Sequence, residues 1–242
     1  MRPVKVDRQA AFVLHSRPYR ETSLVLEAFT RDFGRVALVA KGVRRPRSAM
    51  RGVLMAFQPL EMTWSGKGEV VTLHSAEWQG GQPLLAGRSL LCGYYLNELL
   101  LNLLPRDDAH ERIFDHYAQT LQSLADSADA AERHSASLRC FEKSLLAELG
   151  YGLMLDQDTA GKPISPSARY LYEMESGPRQ IADSSALAGT ISGQTLHNMA
   201  ADLFGDPVTL SESKQLMRSL MAFYLNGRQL HSRRLFEDLA DL

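Results

Sequence analysis

Five short runs near the start of the chain alternate apolar and polar side chains with a period of two, and this pattern limits the fold more than any other feature. The runs are Gln9–Arg17, Thr22–Thr30, Arg35–Lys41, Phe57–Ser65 and Glu69–Trp78. In the second, Leu24, Leu26 and Ala28 oppose Val25, Glu27 and Phe29; in the fourth, Leu60, Met62 and Trp64 oppose Glu61, Thr63 and Ser65. Such alternation marks strands with one face buried. Turn residues separate them: Pro18 to Glu21, Asp32-Phe-Gly34 and Gly66-Lys-Gly68. A sheet this small has edges that must be hidden, and closing it into a barrel hides them. The pattern predicts a five-stranded oligonucleotide/oligosaccharide-binding barrel (OB-fold), with an SH3-like barrel as the competing closed form.

Between the third and fourth runs lies a basic stretch. From Gly34 to Gly52 the chain reads as a strand carrying Val36, Leu38 and Ala40 on one face, followed by a mobile loop. The loop holds Lys41, Arg44, Arg45, Arg47 and Arg51 and no acidic residue. Arginine forks suit bidentate contacts to phosphate. The near-zero net charge of −1 hides a division: residues 1–80 carry 13 Lys and Arg against 7 Asp and Glu, and the remainder carries 14 against 21. A polyanion-binding first part and an acidic second part follow. Arg17, Arg20, Arg35 and Lys67 extend the basic surface if the strands fold as read. Of the aromatics Tyr19, Phe29, Phe57 and Trp64, Tyr19 stands in a turn beside Arg17 and Arg20 and is the candidate for stacking on a base.

Periodicity changes after Gly80-Gly81-Gln-Pro83, which marks a boundary between a first domain at 1–80 and a helical one at 84–242. Leu84–Leu104 is apolar nearly all round and predicts a central helix; Pro105 ends it. His110–Leu124 and Arg133–Leu149 follow, joined by an acidic, small-residue connection at 126–132, and Gly150 supplies the stop. A loop at 156–168 and a hairpin at 169–183 turning at Ser176-Gly177-Pro178 form an insertion spanning about 153–183. Helices at Gly193–Phe204, Leu210–Asn226 and Ser232–Leu239 complete an α+β, multidomain chain.

No constellation for catalysis is found. The Gly-x-x-x-x-Gly-Lys-Ser/Thr phosphate loop and the Gly-x-Ser-x-Gly elbow are both missing. Asp107, Asp108, His110 and Glu111, with Asp115 and His116 nearby, resemble a metal cluster. They read more simply as cap and first-turn acids of the helix that follows. Tyr172-Glu-Met-Glu175 reads as the solvated side of a hairpin. Cys92 and Cys140 stand alone in apolar helical settings and read as buried free thiols. The first residues lack the apolar core of a signal peptide, and no run is apolar enough to span a bilayer; a cytoplasmic location is expected.

Several segments together resemble the RecO family of bacterial repair and recombination mediators. They are Ala11-Phe-Val-Leu-His-Ser-Arg-Pro-Tyr, Glu21-Thr-Ser-Leu, Gly34-Arg-Val-Ala-Leu-Val-Ala-Lys-Gly and Gly68-Glu-Val-Val-Thr-Leu-His-Ser-Ala-Glu77. Tyr95-Leu-Asn-Glu-Leu, Leu138-Arg-Cys-Phe-Glu, Leu149-Gly-Tyr-Gly152 and Leu230-His-Ser-Arg-Arg-Leu-Phe236 continue the likeness along the chain. The resemblance implies an OB-fold followed by a helical domain, and no enzyme activity or cofactor. It implies binding of single- and double-stranded DNA, strand annealing, and loading of RecA with RecR onto strands coated by single-stranded-DNA-binding protein (SSB), in the nucleoid. Some members carry a four-cysteine zinc site where this chain has Leu153–Ser167; no cysteine is present there, so no metal is carried over.

Members also bind the acidic, apolar-ended SSB tail on the helical domain. Leu138, Phe141 and Leu145 would form the floor of such a pocket, with Arg139 or Lys143 at its rim. The competing reading of the chain is a protein adaptor whose basic loop meets an acidic partner. A metal-dependent nuclease built on Asp107, Asp108 and His110 is the catalytic alternative.

Overall fold

The computed structural model describes residues 5–126, 131–181 and 189–240, with side chains through Leu235 in the last helix. The first four residues, 127–130 of the acidic connection and the end of the expected hairpin at 182–183 lie outside the described residues.

Residues 5–78 form a closed barrel. Its strands are β1 (Lys5–Tyr19), β2 (Ser23–Thr30), β3 (Gly34–Ala40), β4 (Leu60–Ser65) and β5 (Val70–Trp78), in the order β1-β2-β3-β5-β4. The long first strand serves both sides of the closure. Its first half pairs with β4, from Lys5 opposite Ser65 to Ala11 opposite Leu60. Its second half pairs with β2, from Ala11 opposite Thr30 to Tyr19 opposite Ser23. A parallel pairing of β3 with β5, Ala37 opposite Val70 through Ala40 opposite Leu73, completes the ring. This is the OB arrangement, and it removes the SH3-like alternative. Inward positions such as Val13, Leu26, Leu38, Met62, Trp64 and Leu73 fill the interior.

The observed strands follow the alternation closely, with two instructive departures. Tyr19 is still in β1, where a turn was expected from Pro18 onward. Phe57 is not the start of β4; it sits at φ +66°, and the strand begins after Pro59. Proline has no N–H for a ladder, so a strand starting beyond it is the cheaper solution.

The barrel belongs to a compact unit comprising residues 1–128 and 230–242, and the change of periodicity near Gly80 lies inside it. Helices α1 (Gly87–Leu103) and α2 (Glu111–Asp126) pack on the outer side of β1 and β2. Phe114 and Tyr117 of α2 cover Phe12 and Phe29, with ring centroids 5.1–6.1 Å apart. A bulge between Val13 and His15 leaves Leu14 unmatched in the β1–β2 ladder. Its carbonyl accepts a hydrogen bond from Asn97 Nδ2 at 2.8 Å, and Asn97 in turn accepts one from the Tyr117 hydroxyl. Burial holds that hydroxyl far above the ordinary tyrosine pKa. Gly34 has to be glycine: its φ is +63°, and a Cβ there would lie 1.7 Å from the Asp108 carbonyl oxygen. Helix α6 (His231–Ala240), which also packs on α1, is started by Glu98, whose carboxylate accepts the N–H groups of His231 and Ser232 at 2.7 and 2.9 Å.

The second compact unit, residues 129–229, contains α3 (Ala131–Glu148), β6 (Arg169–Glu173), β7 (Gly177–Gln180), β8 (Thr190–Ser192), α4 (Gly193–Ala200) and α5 (Pro207–Tyr224). The expected hairpin is β6–β7, but β8 adds a third strand on the other edge of β6. Three residues are too few to show alternation, and β8 runs directly into α4. Ser192 caps α4 by accepting the Thr195 N–H at 3.1 Å, and Asp206 caps α5 by accepting that of Thr209 at 2.8 Å. Helix α5 therefore starts at Pro207 rather than Leu210: this proline occupies the first helical turn, where its missing N–H costs nothing. Glu212 joins β6, β8 and α4, accepting from Arg169, Ser192 and Thr195 at 2.6–3.0 Å. Burial opposes its ionisation, yet those donors outweigh burial and hold its carboxyl below the ordinary range.

Candidate nucleic-acid interface

Backbone register decides which basic residues meet. In the β1–β2–β3 sheet, the end of β1, the start of β2 and the end of β3 lie at one end of the barrel. The Arg44 N–H donates to the Thr22 carbonyl at 2.9 Å, and the Gly42 N–H donates to Ser23 Oγ at 3.4 Å. The basic loop is thereby fastened to the turn that carries Arg20. On the outer face, Arg17 stands opposite Val25, and Val25 opposite Val39; Tyr19 stands opposite Ser23 in the next outward row. Arg17, Tyr19, Arg20, Lys41 and Arg44 are thus brought together at one end of the barrel, and all five are exposed. Tyr19 is 40% exposed, with the Arg20 guanidinium 5.2 Å from its ring centroid.

The loop itself is more ordered than its composition suggests. Successive bonds run from the N–H of Arg45 to Gly42 O, Ser48 to Arg45 O, and Arg51 to Ser48 O, each at 3.1 Å. A fourth, from Val53 to Met50 O, extends the string of turns. Met50, Val53 and Leu54 then pack against the barrel core. The expected mobile loop is a string of turns with an apolar anchor.

Several other cations of this unit are paired locally. Lys5 pairs with Asp7 at 2.8 Å, Arg8 with Glu61 at 2.9 Å, and Arg31 with Glu111 and Asp115 at 2.9 and 3.2 Å; Arg106 pairs with Glu27. Lys41, Arg44, Arg45, Arg47 and Arg51 are all exposed, and among the described residues none of them has a carboxylate partner. Arg17 and Arg20 share that state.

Two of the expected basic residues are not part of this cluster. Arg35 turns toward the C-terminal end of α1, where its guanidinium donates to the carbonyl oxygens of Leu101 and Leu104, the latter at 2.8 Å. Glu27 lies 3.6 Å from it. Burial draws the Arg35 pKa below its ordinary value, and the negative charge of Glu27 opposes that shift. Arg35 is a helix-capping residue. Lys67 is exposed in the β4–β5 turn, but β5 begins opposite Ala37, so this turn lies toward the start of β3 and away from the loop.

Asp107 and Asp108 also depart from expectation. Helix α2 begins at Glu111, and both residues precede it; Asp107 has φ +63° and gives its N–H to Arg35 O. Glu111 and Asp115 face Arg31, and no group of three or more metal-ligating side chains is found among the described residues. No helix among them is long and apolar enough to cross a membrane.

In the second unit the five residues expected to hold an acidic tail do not form an open, cation-rimmed pocket. Phe141 and Leu145 are fully buried. Arg139 is buried and pairs with Glu142 at 2.6 Å. Lys143 donates to the Met199 carbonyl at 2.8 Å, ending α4, and pairs with Asp202 at 2.6 Å. Leu138 is half-buried. Both cations are occupied within the unit. The cysteines carry no disulfide: Cys92 is buried, whereas Cys140 is only half-buried, with burial raising its thiol pKa to about 11.

Sequence comparison now identifies the kind of barrel this is. Residues 1–81 match the family profile described as "Recombination protein O N terminal", and residues 85–234 match "Recombination protein O C terminal". The chain belongs to the RecO family. It is 57% identical over 238 residues to the DNA repair protein RecO of Dechloromonas aromatica, covering 98% of both chains. It is 55% identical over 240 residues to that of Aromatoleum aromaticum and 52% over 242 residues to that of an Azoarcus strain, each again over 98% of both chains. Membership of the RecO family places the chain in DNA repair and recombination, a role with which the unpaired cations on its OB barrel agree.

The structure separates a structural cation from surface ones, and this is testable. Arg35→Ala should lower the thermal midpoint by several degrees, because it uncaps α1 and leaves Glu27 with one guanidinium fewer. It should leave the affinity of the folded protein for oligonucleotides within about two-fold. A large affinity loss at unchanged stability would return Arg35 to the interface.

Proposed function

We propose that residues 1–80 are a DNA-binding domain and that the chain acts as a recombination mediator without turning over a substrate. The observation that supports this reading is the set of seven exposed cations, Arg17, Arg20, Lys41, Arg44, Arg45, Arg47 and Arg51, gathered at one end of an OB barrel and, among the described residues, none of them paired with a carboxylate; Glu21 is the one acid in the adjoining turn. Two complementary strands repel each other through their phosphates. A protein that covers both backbones with arginine lets them approach, and needs neither nucleotide fuel nor a metal for that step. Such a surface binds single and double strands, and it anneals complementary ones.

The acidic remainder, residues 84–242 with the insertion at 153–183, is the protein-docking part. Its partners are the SSB C-terminal tail and RecR, and the outcome is RecA loaded onto SSB-coated single strands. For the tail, Lys143 is the anchor, and its present partner Asp202 is half-exposed at φ +57°. A tail carboxylate would take the place of Asp202, while Leu138 meets the apolar end. Arg139 keeps Glu142 neutralised and takes no part.

Each phosphate neutralised on a single strand contributes roughly −0.7 to the log–log dependence of affinity on salt. Seven contacts, five from the loop and two from Arg17 and Arg20, therefore predict a slope of about −4.9. Replacing Arg44, Arg45 and Arg47 together by Ala should bring it to about −2.8 and weaken binding strongly at low salt, with the thermal midpoint unchanged. A salt-independent affinity, or a triple variant that binds like the wild type, would refute the electrostatic reading. For the tail, titration with an acidic peptide ending in an apolar residue should show tighter binding to Asp202→Asn and none to Lys143→Ala. Indifference to both substitutions would move the tail elsewhere.

A further inference from the structure

The basic loop encloses something other than charge. Between it and the start of β2 lies a pocket of about 300 Å³, lined by Leu24, Val43, Arg44, Met50, Arg51 and Leu54. Its floor is apolar: Val43 is buried, and Leu24, Met50 and Leu54 rest on the barrel core. Its rim holds two exposed arginines. Gly52 completes the wall, and a Cβ built there meets no atom within 4 Å, so that side opens to solvent.

We infer that this pocket receives one unpaired nucleobase, with the flanking phosphates on Arg44 and Arg51. The proposal rests on the DNA-binding reading and deepens it. A nucleic-acid strand carries anion, flat apolar ring and anion in sequence, and the site presents cation, apolar floor and cation. Lys41, Arg45 and Arg47 continue the positive track beyond the pocket, as a polyanion requires and a single terminal carboxylate does not. The Met50 thioether supplies a polarisable contact for a ring. Tyr19 stands near the same end of the barrel and offers its exposed face to a neighbouring base.

The consequence is strand discrimination. Phosphates are common to single strands and duplexes, so arginines alone distinguish the two poorly. A base held in a stacked pair reaches the pocket only by flipping out, which costs a few kcal/mol. The pocket therefore favours unpaired strands, and pairing withdraws the base. The annealed duplex is held by charge alone and leaves more readily than an unpaired strand does.

The test compares three ligands of equal length by fluorescence anisotropy: an oligothymidine, the same backbone with abasic sites, and a duplex. Wild type should bind the oligothymidine about ten-fold more tightly than the abasic strand. Tyr19→Ala should keep most of that ratio. Met50→Gln should abolish it; because Met50 also anchors the loop, abasic affinity is measured alongside, and a loss there reports the anchor and leaves the decision to the wild type. A 2-aminopurine placed mid-strand then decides with the wild type: its emission should change on binding at low salt. A wild-type ratio near one, a ratio that survives Met50→Gln, or unchanged 2-aminopurine emission overturns the pocket and leaves the electrostatic reading intact. Failure of every strand to bind overturns that reading itself. Displacement of the abasic strand by an acidic, apolar-ended peptide in a Met50-dependent way assigns the pocket to a protein ligand and also overturns the proposal.

Discussion

Five like charges within eleven residues have to be held on one loop without a single counter-charge. In water, two unit charges about 8 Å apart repel by roughly 0.5 kcal/mol. The loop resists this with neutral means. Its backbone is folded into successive turns, tied at Arg44 to the Thr22 carbonyl, and Met50, Val53 and Leu54 anchor it to the barrel core. The barrel in turn keeps the β1–β2 turn and the end of β3 adjacent, so that Arg17 and Arg20 join the same field. A bound polyanion removes the repulsion that the protein alone tolerates.

The contrast within this unit gives the charge its meaning. Arg8, Arg31 and Arg106 have carboxylate partners, and Arg35 caps a helix. Arg8 is paired although it is exposed on the barrel, whereas the cations of the loop and of the β1–β2 turn have no such partner among the described residues. Surface ion pairs contribute little to stability individually. Their distribution here matters for electrostatics, because it leaves the field concentrated at one end of the barrel.

Much of this was legible in the sequence, for physical reasons that also explain the failures. Period-two alternation is a direct image of a half-buried strand, so the five strands and their closure could be read from residues such as Leu60, Met62 and Trp64. The basic run was equally plain. What composition cannot convey is where a long side chain turns. Arg35 and Arg44 look alike in sequence, yet one reaches the carbonyl oxygens of α1 and the other stays in water. Lys67 was set apart by the parallel β3–β5 register, a tertiary fact. Asp107 looked like a helix cap, but the left-handed turn through it delays α2 to Glu111. On α3, the i,i+3 spacing of Arg139 and Glu142 already allowed their pairing, whereas Asp202, far along the chain, could not be assigned to Lys143 from spacing. The pocket under Arg44 and Arg51 was invisible for a further reason: its floor joins Leu24 to Met50 and Leu54, across more than twenty residues.

The central claim is that unpaired cations on the barrel bring complementary DNA strands together without chemistry. Its most direct test is the rate at which complementary oligonucleotides anneal with wild type and with the Arg44, Arg45 and Arg47 to Ala variant, at low and at moderate salt. The account predicts acceleration by wild type that fades with salt, and a loss of at least about ten-fold in the variant despite an unchanged thermal midpoint. Annealing by the variant at the wild-type rate would contradict it.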